Sequence, residues 1–171
     1  MTPRRAVRTY LEMTDPASLN PAAAPDGAVT VERSQQCPPS LYRRLYADVG
    51  REYLWVDRLG WSDEEIAAHL GDPRIELWIL RHAGEPAGYV ELRRCDDGEV
   101  EIAYFGLLPH AVGQGFGKFL LTRAVERAWE LGATRVWLHT SSLDHSSALP
   151  NYLARGFSIW KQITYEVEAQ S

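Results

Sequence analysis

The chain has no apolar run of the roughly 18 residues that a membrane-spanning helix requires, so no membrane partner is expected. Cysteine is scarce. Cys37 and Cys95 form no C-x-x-C pair and stand at no metal-ligand spacing with histidine. They read as reduced thiols of a cytoplasmic protein, and no metal is expected. Basic residues are not in surplus: 18 Lys and Arg against 23 Asp and Glu give a net charge of −5. Nucleic-acid binders carry a basic patch or stripe, so no nucleic-acid partner is expected. An acidic balance is compatible with a cationic substrate but does not establish one. Arg4 and Arg5 precede a segment, residues 6–20, that lacks the continuous apolar stretch of a signal peptide. What is present is ordinary for one globular domain: 45% hydrophobic and 24% charged residues over a length of 171.

Residues 14–27 are rich in Pro, Ala and turn formers and read as a connector. Before them, residues 7–13 read as a short strand at a sheet edge. An arm over 1–27 then precedes a main domain over 28–171. Alternation over 28–33 predicts that domain's first strand. Pro39 opens a helix with Leu41, Leu45 and Val49 on one face. Ser62 and Glu65 have capping-box spacing, which predicts a short helix to Leu70. Three antiparallel strands follow over 75–81, 87–94 and 100–108, the last two joined at Asp96-Asp97-Gly98. The third is apolar on both sides apart from Glu101, as in a strand covered on both faces. A helix over 116–131, a strand over 135–140, a helix over 146–155 and a strand over 157–167 complete the chain. This order implies an α/β fold around one mixed sheet.

The informative stretch runs strand, Pro109, glycine loop, long helix. Gly113, Gly115 and Gly117 remove side chains where the backbone enters the helix. The first helical N–H groups lack internal partners, and with the helix dipole they suit a pyrophosphate. The spacing is G-x-G-x-G, not the G-x-G-x-x-G of a dinucleotide fold, and the next strand ends in His139-Thr140 rather than an acid. Gly117-Lys118 supplies the G-K pair of a Walker loop, but Val112 and Phe119 stand where that motif needs Gly and Ser or Thr. A glycine-rich helix start used only for packing is the plainer alternative.

Val112-Gly113-Gln114-Gly115-Phe116-Gly117-Lys118, followed by Leu120-Leu121, resembles the pyrophosphate loop of the GNAT N-acetyltransferase superfamily. Val112 stands where that family usually has Gln or Arg. The stretch from Ala148 through Tyr152 to Gly156-Phe157 resembles the family's A-x-x-L-Y-x-x-x-G-F ending, with His145 in the position of a frequent Asn. Glu101, on the strand before the loop, stands at the distance from Gly115 that the catalytic glutamate has in the histone-acetylating branch. The resemblance covers roughly residues 28–168. It implies a mixed, largely antiparallel sheet of six to seven strands flanked by about four helices. It also implies acetyl-CoA, or another short acyl-CoA, as co-substrate and a primary amine as acceptor.

An amine of pKa about 10.4 must lose a proton before it attacks a thioester. Glu101 is the candidate base; the plainer reading is an exposed glutamate after a turn. The resemblance makes Tyr152 the acid toward the leaving thiolate. It gives the carbonyl oxygen a backbone N–H of Leu107 or Leu108, on the segment that pairs with the pantetheine arm. Residues 112–118, His145 and Tyr152 would complete the cofactor site. Trp55, Asp57, Tyr104 and His139 are candidates for the acceptor pocket, with core packing or surface roles as the alternative for each. Tyr53, Arg58 and Trp61 cluster beside them. A small molecule in a monomer or homodimer is the expected acceptor arrangement. A protein lysine or N-terminus is a second possibility, and a non-catalytic acyl-CoA sensor a third.

Overall fold

A computed structural model describes residues 3–167. Within them the chain forms β1 (Arg4–Met13), β2 (Val29–Arg33), α1 (Pro39–Gly50), α2 (Asp63–Leu70), β3 (Ile75–His82), β4 (Glu85–Arg94) and β5 (Val100–Leu107). Next come α3 (Phe116–Glu130), β6 (Val136–Ser141), α4 (Ala148–Ala154) and β7 (Ser158–Val167). All seven strands join one sheet in the order β2-β3-β4-β5-β6-β1-β7. Every pairing is antiparallel except β5 with β6.

The expected edge strand is an interior one. β1 pairs with β6 on one side and β7 on the other, and it begins at Arg4 rather than near residue 7. The cause is apolar: Leu11 and Met13 are fully buried in the main core and draw the strand inward. The edge role falls to β7, where Ile159, Trp160 and Ile163 are exposed. The 14–27 connector then crosses the far face of the molecule. Asn20 N–H donates to the Arg155 carbonyl and Ala22 N–H to Thr122 Oγ1.

Each sheet face has its own core. Leu92, Val90 and Ile102 point to one face, under α3 and α4. Leu77, Ile79 and Tyr89 point to the other, under α1 and α2. The Ser62–Glu65 capping box forms at the start of α2 as the spacing predicts. A β-bulge interrupts β5: Leu92 faces Ile102 while Glu91 faces Tyr104, leaving Ala103 unpaired. This extra residue restores the alternation. Glu101 and Tyr104 share the α1–α2 face, and Ile102, Phe105 and Leu107 share the α3–α4 face.

Candidate active site

β5 and β6 pair only at Val100–Val136 and Glu101–Trp137, and then diverge. Past that point β5 has an open side. Leu108 N–H donates to the Ala87 carbonyl at 2.8 Å, so its donor is taken by the sheet. The alternation of an antiparallel ladder therefore aims the N–H of Leu107 away from β4, into the opening. Leu107 thus remains a donor candidate, whereas Leu108 does not. Its side chain packs in the α1–α2 core instead.

The opening holds a groove of about 270 Å³. Leu107, Val112, Gly113, Gly115, Gly117, Lys118, His145 and Tyr152 line it, as do Phe105 and Asn151. Gly115 caps α3 in the left-handed region, with φ of 82°, and no side chain hydrogen-bonds the cap. Its leading N–H groups are left for an anion. At Gly117 a Cβ would be in ordinary contact with Leu107, at 3.6 Å, and Asn151, at 3.8 Å, so the helix start lies beside β5 and α4. Two residues of the loop lie outside the groove. Phe116, the first helical residue, turns into the core with its ring 5.0 Å from that of His82. Gln114 is exposed and its amide donates to the His110 carbonyl.

A second cavity, of about 480 Å³, adjoins the first. Its walls include Trp55, Asp57, Glu101, Tyr104 and His139. Glu101 is buried, and it accepts from Arg93 Nε at 2.8 Å. Asp57 is exposed and accepts from the Tyr104 hydroxyl at 3.4 Å. Burial, followed by the neighbouring Tyr46, holds the Tyr104 phenol above its ordinary pKa. His139 opens to solvent on the cavity side, with Tyr10 5.4 Å away on its flank. Desolvation by the crowded walls lowers its pKa, against the opposing charge of Glu101. His139 is therefore neutral near pH 7.

Tyr152 is 6% exposed and lines both cavities. Burial, then the charge of Asp144, raises its phenol well above the ordinary range. His145 stands at the groove rim, where its Nδ1 accepts from the Ser147 N–H at 3.0 Å. Its ring lies 6.3 Å from that of Tyr53.

Among the wall residues that escaped the sequence reading are Arg93, Asp144 and Arg8. Arg93 was within reach, because the Asp97-Gly98 turn sets a register that places it opposite Glu101. Asp144 and Arg8 were not, because they arrive through the β6–α4 loop and the interior placement of β1. Asp144 accepts from Thr140 Oγ1 at 2.6 Å, Ser141 N–H at 2.9 Å and Trp55 Nε1 at 3.3 Å. Arg8 lies over the Tyr165 ring at 4.9 Å. Among the described residues no three His, Cys, Asp or Glu side chains are grouped to hold a metal ion, and no helix is long and apolar enough to cross a membrane.

An uncapped helix start over one cavity, opening into a second cavity walled by carboxylates, suits a phosphate-bearing molecule held beside a second one. The model of the acetyltransferase (GNAT) family matches residues 41–157. Uncharacterized N-acetyltransferases of Mycobacterium bovis and Mycobacterium tuberculosis are 34% identical over 133 residues, covering 78% of this chain and 80% of theirs. A GCN5-related N-acetyltransferase from Kribbella flavida has the same fold, with a TM-score of 0.69 at 20% identity over 96% of this chain and 59% of its own. An aminoglycoside acetyltransferase from an uncultured soil sample, in complex with trehalose, superposes with a TM-score of 0.65 at 16% identity, over 84% of this chain and 97% of its own. The chain spans about three fifths of the first solved structures it matches. It belongs to the GNAT family, and it is an acyl-CoA-dependent N-acyltransferase.

Proposed function

We propose that the chain moves an acetyl group from acetyl-CoA to a primary amine of a small molecule, by direct attack in a ternary complex. The observation that carries this reading is the meeting of two cavities at one buried tyrosine, Tyr152. Residues 112–118 fit the pyrophosphate, since Gly113, Gly115 and Gly117 bare the backbone and α3 begins without a competing cap. Bound acetyl-CoA supplies an acyl thioester. The second cavity is of small-molecule size. Of its carboxylates, Glu101 is matched by Arg93, while Asp57, Asp144 and Glu166 have no cation within salt-bridge distance among the described residues, against one wall arginine, Arg8, that has no carboxylate at that distance there. That surplus favours an ammonium acceptor over an anionic one.

His139 takes the proton that the amine sheds, because it is neutral near pH 7 and faces the acceptor cavity. Glu101, paired with Arg93 on the same wall, stabilises the imidazolium through its charge. The Leu107 N–H donates to the carbonyl oxygen as charge develops there. The Tyr152 hydroxyl donates a hydrogen bond to the departing sulfur. With its pKa held far above that of a thiol near 8.5, it supports the thiolate without surrendering its own proton. The C–S bond breaks as the C–N bond forms, and the released thiolate is protonated from solvent.

Thiol release from acetyl-CoA, followed across small amines, aminosugars, lysine peptides and N-terminal peptides, tests the reading. Small amines are expected to lead. In Tyr152→Phe, turnover should fall about 10²–10³-fold, the size of one lost transition-state donor, with acetyl-CoA affinity retained. Full activity in that variant would leave Tyr152 a packing residue. Turnover confined to peptides would move the acceptor to protein.

A further inference from the structure

The two cavities share five wall residues: Tyr53, Trp55, Phe105, Asp144 and Tyr152. A carbon attacked from one cavity while its sulfur lies in the other must sit among them. We propose that Trp55 is the wall that limits the length of the transferred acyl group, restricting the enzyme to acetyl and its nearest homologues. The inference rests on the cofactor placement given above.

Of the other four, Asp144 takes three hydrogen bonds, Tyr53 meets His145 at the rim, and Phe105 packs on the α3–α4 core with its ring 5.9 Å from that of Tyr152, the proposed donor to the sulfur. Trp55 presents a broad apolar face, and it is held in a seat built for it. A Cβ at Gly50 would lie 2.5 Å from its Cβ and 2.6 Å from its Cδ2, so only glycine admits the indole there. The Tyr104 ring meets it edge-on at 5.1 Å and Tyr46 at 5.9 Å. Its Nε1 donates to Asp144 across the cleft. Leu54, just before it, takes a left-handed φ of 60°, which a branched residue adopts only when its surroundings impose it. An indole seated on backbone and tied at its far edge does not move aside for added methylenes. Each methylene refused by a rigid apolar pocket is worth about 10–200-fold in discrimination.

Calorimetric titration of CoA, acetyl-CoA, butyryl-CoA and hexanoyl-CoA separates this role from general packing and needs no acceptor. The wild type should bind hexanoyl-CoA at least about 10-fold more weakly than acetyl-CoA. Trp55→Ala should erase that ratio or invert it, the ratio being taken between two acyl-CoA ligands of the same variant so that a general change in CoA affinity cancels. Trp55→Phe keeps an aromatic ring on Gly50 and should fall between, and it carries the test if the alanine variant does not fold. A wild type that accepts hexanoyl-CoA as tightly as acetyl-CoA overturns the inference. So does an unchanged ratio in variants that still bind free CoA. Failure of the wild type to bind free CoA would instead overturn the cofactor placement, and this inference with it.

Discussion

At the scale of the residue, the mechanism proposed above divides between His139 and Glu101 a task that one base was expected to perform. Both line the acceptor cavity, and their pH behaviour tells them apart. Burial sets the pKa of His139 below its ordinary value of about 6.5, while the Glu101 charge pulls it back up. A lowered histidine is neutral above its pKa and charged below it. Activity that needs neutral His139 is therefore lost as pH falls through a value under about 6.5. In His139→Gln that acid limb should disappear and the rate should fall about 10²–10⁴-fold. In Glu101→Gln the limb should persist but move to lower pH, because the charge that raised the histidine is gone. kcat/KM against pH, with whichever amine the screen selects, decides. A limb that vanishes in Glu101→Gln and survives in His139→Gln would return the base to the glutamate.

At the scale of the element, the start of α3 is the proposed cofactor site, and what it offers is backbone chemistry. Gly115→Asp places a carboxylate at the cap, at a φ of 82° that a side chain rarely adopts, over the N–H groups reserved for an anion. Acetyl-CoA should raise the melting temperature of the wild type and not that of the variant. NAD and ATP should shift neither. The glycine loop and the Tyr152 ending were legible because contiguous residues build them, and helix and strand periodicity placed nearly every element. What was not legible is tertiary. The bulge at Ala103 leaves no periodic trace, yet it puts Glu101 and Tyr104 on one face. The arm, whose strand was read as a sheet edge, supplies Arg8 to the cavity and Leu11 to the core, since a single strand's alternation does not say whether one neighbour pairs with it or two. Leu108 was misplaced for a related reason: which N–H the sheet takes depends on register.

At the scale of the whole molecule, one buried carboxylate pins each helical layer to the sheet. Glu91, fully buried on β4, accepts from Tyr42 of α1 at 2.7 Å and from Arg58 of the following loop at 2.7 Å, with His69 Nε2 of α2 at 3.0 Å. Glu76, on β3 and facing the other way, accepts from Arg127 Nε of α3 at 2.9 Å and from Trp78 Nε1 at 2.9 Å. Burial pushes both carboxyls upward, but the donors and cations around them outweigh it and hold both below the ordinary range. A carboxylate whose pKa is lower folded than unfolded stabilises the fold fully above the unfolded value of about 4.3, and that stability is lost as pH falls through the folded value. The urea midpoint should accordingly stay level from pH 7 to about 5 and drop steeply below about 4.3. Glu91→Gln leaves Arg58 buried without its counter-charge, which costs about 3–5 kcal/mol when a buried pair is broken. The variant should be less stable at pH 7, and its acid limb should be shallower, because one of the two protonations that drive it has been removed. An acid limb of undiminished slope in Glu91→Gln would show that the carboxylates governing acid unfolding lie elsewhere, and that the α1–α2 layer is held by its apolar contacts alone.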